Sequence, residues 1–211
     1  MTDDLPSLVY VLAYDDSAQG PYDRARTELL VRAAVLIDLA LRGRLREDGG
    51  TVIVSGTQPT GSPVLDAALR DAAGHGWKQL LRHRRGRTLS EVEDRLAGAG
   101  LLTVKEPRTR FGSRQLILTD RAVPAALRVR VSAVLHGEGC VREIPAADAA
   151  LLALAAAGGI RSIVSRQDQK TFRARIDACT GRLATLAPGL EKAVRALPMT
   201  MIAAQGGMGG S

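Results

Sequence analysis

The chain has 211 residues, 45% of them apolar but only 3% aromatic, and a formal charge of +7. That length suffices for one compact domain, and a core drawn from Ala, Leu, Val and Ile favours packed helices over a β-sandwich. The charge points to an anionic partner such as nucleic acid or a lipid surface, although 25 of the 29 cations are Arg, which with the Ala and Gly richness also suggests a GC-rich bacterial genome.

Residues 5–14 read as a short apolar helix, stopped by Asp15-Asp16 and the turn-forming Gly20-Pro21. A long amphipathic helix is expected over 24–46. Leu29, Ala33, Leu36, Ile37, Ala40 and Leu41 recur there at the spacing of one buried face. Arg42, Arg44 and Arg46 fall at its end, where the helix dipole favours cations. Asp48-Gly49-Gly50 predicts a turn and 51–54 a strand. After a loop at 57–63, Val64, Leu65, Ala68 and Leu69 mark another helix, broken by Gly74 and Gly76. A basic helix is expected at 77–85, and after Gly86 Ser90 reads as the N-cap of a helix to Ala99. The pattern then alternates: 101–105 and 115–118 predict two strands joined by a basic loop. Helices follow at 123–135, 146–157, 167–178 and 190–203, and a glycine-rich tail from Gly206 is expected to be disordered.

Nothing in this order supports catalysis. His75, His83 and His136 lack metal-ligand spacing, and no GK[ST] or strand-anchored GxGxxG occurs. Cys140 and Cys179 belong to no CxxC or His/Cys cluster. The expectation is therefore a reduced cytosolic protein that is not an enzyme and needs no metal or cofactor. The acidic Asp3 and Asp4 do not read as a signal peptide. The best apolar run, 146–160, is interrupted by Asp148 and ends in Gly158-Gly159, too short to span a bilayer.

The charge is concentrated. Residues 70–130 hold 14 Lys or Arg against six Asp or Glu, densest at Arg82-His83-Arg84-Arg85-Gly86-Arg87. Residues 90–119 are similar to the recognition helix and wing of winged-helix DNA-binding proteins, with Arg108, Arg110 and Arg114 on the wing. Against that use, the recognition helix carries Glu91, Glu93 and Asp94 with Arg95 as its only cation.

The run Leu36-Ile37-Asp38-Leu39-Ala40-Leu41-Arg42-Gly43-Arg44-Leu45 resembles, without a gap, the signature of the Golgi phosphoprotein 3 family. The resemblance implies a mainly α-helical single domain over 1–205 with a protruding β-hairpin. It also implies a cytoplasmic, peripherally membrane-associated protein that reads a phosphoinositide such as phosphatidylinositol 4-phosphate. In the family the headgroup pocket is made by a Trp, an Arg opening the signature helix and two Arg before a Leu-Leu-Ala-Leu helix. Arg32 falls on the first Arg, while the Trp position holds Asp23, with Tyr22 as the neighbouring aromatic. Leu151 to Leu154 supply the Leu-Leu-Ala-Leu element, but Ala146 and Ala149 replace its two Arg, leaving Arg142 as the nearest substitute. Ile160, Arg161, Ile163, Val164 and Arg166 sit where the family has a membrane-touching loop. Leu102, Val104, Arg108, Arg110, Phe111, Leu116 and Leu118 fall on the hairpin that mediates self-association there. The implied partners are anionic lipid and a second copy. A winged-helix DNA-binding regulator is the alternative.

Overall fold

A computed structural model of the protein describes residues 4–56, 58–105 and 115–206. The fold is mainly helical, assembled around one apolar core. Helix α1 (Leu5–Leu12) begins where Asp4 accepts the Ser7 N–H and Pro6 occupies the first turn, and all eight of its residues are buried. It packs on α2 (Arg24–Leu41), which Asp23 caps through the Arg26 N–H.

Helix α2 is the axis of the molecule. Every residue from Leu29 to Ala40 is buried, so the single buried face expected from the periodicity is instead burial all round. Its neighbours include α3 (Pro63–Arg70), α4 (Trp77–Arg82), α5 (Arg85–Gly98), α7 (Ala146–Ala157) and α11 (Leu197–Gly206). Helix α6 (Ala122–His136) packs on α1 and α7 from outside. Helices α8 (Arg166–Thr171), α9 (Arg173–Gly181) and α10 (Pro188–Arg195) close the far side of α7.

Among the described residues, three antiparallel strand pairs decorate this bundle. They pair β1 (Tyr14–Asp15) with β2 (Gly20–Pro21), β3 (Leu45–Asp48) with β4 (Thr51–Val54), and β5 (Leu102–Lys105) with β6 (Gln115–Leu118). The last has Leu102 opposite Leu118 and Val104 opposite Leu116.

Several boundaries differ from expectation for local reasons. The helix expected to reach residue 46 stops at Leu41. Gly43 takes φ +68°, its N–H donates to the Ala40 carbonyl and that of Arg44 to the Leu39 carbonyl. This paired C-terminal closure is open to glycine because of its positive φ. Arg44 and Arg46 are thereby placed beyond the helix, and residues 45–48 form a strand. Gly49 and Gly50, both with positive φ, make the two-residue turn to β4. Helix α5 begins at Arg85, five residues before the expected cap, and Ser90 sits inside it donating to the Gly86 carbonyl. The break from α4 falls instead at Arg84, whose φ is +51°. The helices expected at 167–178 and 190–203 are each split, the first at Phe172 and the second before Pro198, which has no N–H for a continuous helix. The expected tail lies mostly outside the described residues, and α11 runs to Gly206.

The entry to α1 gives the fold an acid-sensitive point. Burial works to raise the pKa of the Asp4 carboxyl, but hydrogen bonds from Arg95 and Ser7 outweigh it and leave the group below its usual range. A lowered folded value contributes stability that is complete above the unfolded pKa of about 4 and is lost as pH falls through the folded one. Thermal melts should show Asp4→Asn less stable than wild type at pH 7, with the gap closing below about pH 4. A gap independent of pH would refute the assignment.

Candidate functional site

The most polar of the larger cavities holds about 750 Å³ between the β1–β2 hairpin, the start of α2, α6 and the segment after α7. Each wall follows from local chemistry. Tyr22, just after β2, donates its backbone N–H to the Ala13 carbonyl at 3.0 Å. Its hydroxyl donates to the Gly158 carbonyl at 2.7 Å, fixing the ring as a wall between hairpin and α7. Burial pushes the Tyr22 phenol above its ordinary pKa, so it stays a neutral hydrogen-bonding group. Opposite it, α7 ends in a glycine turn. Gly159 takes φ +62°, and the N–H groups of Gly159 and Ile160 close back on the carbonyls of Ala156 and Ala155. Such a turn usually buries its second residue against the helix. Ile160 is accordingly 4% exposed, and Arg161 points outward beside it.

Three arginines converge there. Arg26 is half-buried with its Nε 3.1 Å from Asp23, while Arg128 of α6 and Arg161 are exposed and form no ion pair among the described residues. Three carboxylates share the lining: Asp15, Asp16 and Asp23. Asp23 is held by Arg26 and by its capping role, and Asp15 accepts from the Ser17 N–H and hydroxyl. Those hydrogen bonds lower the Asp15 pKa. The pocket thus offers donors from α6 and the segment after α7, and acceptors from the β1–β2 hairpin.

The expected headgroup residues do not come together. Tyr22 lines the pocket, whereas Arg32 is 2% exposed on another side of α2. Its Nε donates to the Leu80 carbonyl at 2.9 Å and Nη1 to the Thr88 hydroxyl at 3.3 Å, leaving Nη2 without a partner among the described residues. Burial lowers its pKa, and only about 10 Å³ of space adjoins it, too little for a sugar phosphate. Arg142 is exposed on a 3-10 turn (Val141–Glu143) whose ends Arg182 holds by donating to the Val141 and Ile144 carbonyls. Ala146 and Ala149 face a small cleft beside Leu41 and Cys179.

The other expected sites are also redrawn by packing. Of the segment expected to touch a membrane, Ile160 and Val164 are core residues and Ile163 is half-buried, so Arg161 and Arg166 are its exposed members. In the hairpin Leu102, Leu116 and Leu118 are buried in the protein's own core and Val104 packs against it. Arg108, Arg110 and Phe111 lie outside the described residues. Arg26 and Arg128 carry no pattern in the sequence that marks them, because distant elements bring them to one cavity.

The dense basic run is largely neutralised. His83 and Arg84 approach Asp71, Arg85 pairs with Glu28, and Arg87 with Glu91. Helix α5, expected as a recognition helix, turns carboxylates outward, a poor match for a polyanion. It buries Leu89, Val92, Glu93 and Leu96 against the core, and its outward face includes Glu91 and Asp94. Among the described residues no His, Cys, Asp and Glu cluster could hold a metal, and no helix is long and apolar enough to cross a membrane.

The Golgi phosphoprotein 3 (GPP34) family model matches residues 5–197. No curated protein matches the chain.

Proposed function

This chain belongs to the Golgi phosphoprotein 3 family, and from that premise we propose that it is a non-enzymatic, cytoplasmic protein docking peripherally on anionic membrane. The headgroup site in this reading is the Tyr22 pocket. One observation carries it: Arg128 and Arg161, both without ion pairs among the described residues, face the same cavity as Arg26. Guanidinium forks suit phosphate oxygens. The carboxylates of Asp15 and Asp16 across the cavity suit the hydroxyls of a polyol ring, because ionised carboxylates only accept. A ligand offering both groups, such as the inositol phosphate of phosphatidylinositol 4-phosphate, fits this division better than a bare phosphate. Self-association belongs to the same reading. Strand β5 has no second strand partner among the described residues, and a second copy would add at that edge or at 106–114.

Vesicle co-sedimentation tests the site, using phosphatidylcholine alone, with phosphatidylinositol 4-phosphate, and with phosphatidylserine at matched charge. The wild type should sediment best with the phosphoinositide. A cation near an anionic surface contributes about 1 kcal/mol, so reversing two costs roughly 2–4 kcal/mol, about 30-fold or more in affinity. Arg128→Glu with Arg161→Glu should therefore abolish sedimentation while melting as wild type. Arg32→Met, inside the core, should bind normally. If instead Arg32→Met folds but loses the vesicles and the double variant keeps them, the headgroup site is at Arg32 and the pocket assignment is wrong. Tight salt-sensitive DNA binding without vesicle binding would overturn the membrane reading altogether.

A further inference from the structure

A second concavity lies beside α7, lined by none of the residues of the Tyr22 pocket, and the headgroup reading makes no use of it. It is an open groove of about 810 Å³, floored by α7 and walled by α9 and α10. The floor is apolar and shallow. Ala156 and Ala157 form a part-exposed ridge of small side chains over the buried Ala153 and Val194, with the half-buried Ile176 beside it. Small residues at such a ridge let a second helix pack with its axis about 8 Å away. The wall is stitched to the floor before any ligand arrives, since Gln169 donates to the Ala156 carbonyl at 3.3 Å.

The rim is predominantly cationic. Arg166, Lys170, Arg173 and Arg195 line the groove with a single carboxylate, Asp177. Arg166 and Lys170 form no ion pair among the described residues, and Arg173 meets Asp177 only at 3.7 Å. Arg195 is the occupied one, paired with Asp177 at 3.1 Å and with Glu191. Along the wall, Arg166 and Lys170 stand one turn apart on α8, and Arg173 opens α9 just beyond the break at Phe172.

We propose that this groove docks an acidic amphipathic helix of a partner protein, its apolar stripe on the alanine ridge and its carboxylates along the basic rim. The cationic surplus sets the charge of the occupant, and the small side chains of the floor, which admit close helix packing, set its form. A lipid tail is the poorer fit, because the space is an open trough with a flat floor rather than an enclosed slot. Helix-in-groove recognition reads anchors at three-and-four spacing.

The probe is a fluorescein-labelled helical peptide of about 18 residues, with leucines at three-and-four spacing and glutamates on both flanks. Its twin carries lysines in place of the glutamates. Anisotropy against the full-length protein should rise saturably with the acidic peptide and not with its twin. Lys170→Glu with Arg173→Glu should weaken binding at least tenfold, and Ala156→Trp, which fills the floor, should do the same. Both variants should sediment with phosphoinositide vesicles as the wild type does, which separates this groove from the Tyr22 pocket. The proposal is overturned if the acidic peptide does not saturate, if the twin binds equally, or if both variants bind like wild type. It is also overturned if anionic vesicles displace the peptide and the charge-reversal variant stops sedimenting, which would make the groove part of the membrane surface.

Discussion

Asp38→Ala is expected to lower the melting temperature by roughly 5–15 °C, from a loss of about 2–4 kcal/mol at 2–4 °C per kcal/mol for a domain of this size. Asp38 is 6% exposed within α2, and its two oxygens are both engaged. One accepts the Leu5 N–H at 3.0 Å, the first donor of α1, and the other accepts from the Arg42 Nε one turn along. The first N–H groups of a helix have no internal partner. Removing the carboxylate therefore leaves a buried donor unsatisfied, at about 1–3 kcal/mol, and releases Arg42 as well. Asp38→Asn keeps an oxygen for Leu5 and should lose markedly less. Calorimetric melts of the three proteins decide it: an alanine variant melting with the wild type would show that the bond to Leu5 contributes nothing.

The residues that follow Asp38 hold the same corner of the fold. Gly43 closes the helix through its positive φ, and Arg44 donates to the carbonyls of Ser55, Gly56 and Gln58, tying the end of β4 back to the turn. Asp38, Arg42, Gly43 and Arg44 thus join α1, α2 and the β3–β4 hairpin at one corner. Their roles are architectural, so the resemblance speaks to fold more directly than to ligand.

What the sequence made legible follows from range. The α7 helix is found at the expected 146–157 and the hairpin strands at nearly their expected bounds, because alternation and helical period are local signals. The end of α2 was hidden because Leu-Arg-Gly-Arg-Leu continues the helical period, and only the φ of Gly43 shows that the chain turns. Arg32 shows a different limit. Its place at the opening of the signature helix suggests a ligand contact, yet the side chain is buried and Glu28, one turn back, meets Arg85. A helix buried on all sides sends its arginine into whatever backbone lies opposite, here the Leu80 carbonyl. Of the pocket arginines, Arg161 stands in a segment the sequence singled out. Arg26 and Arg128 reach the cavity through tertiary packing that no window of sequence contains.

The second large effect concerns Arg24, the one cation that reaches Glu93 among the described residues. This carboxylate lies on the buried face of α5 with 2% of its side chain exposed, and Arg24 at the start of α2 grips it with two hydrogen bonds, at 2.8 and 3.1 Å. The arginine itself is half exposed, so the pair has one wet end and one dry end. Truncating the wet end harms the dry one. Arg24→Leu should cost about 3 kcal/mol, because a desolvated carboxylate is left without its counter-charge. Replacing both partners removes that penalty, and Arg24→Leu with Glu93→Leu should recover most of the loss, since a buried ion pair exchanged for apolar groups of similar size is often neutral. The two single variants and the double, unfolded in urea at neutral pH, form the cycle that measures this coupling. A double variant no more stable than Arg24→Leu would mean that Arg24 acts through packing rather than through charge, and that α5 is held on α2 by its leucines alone.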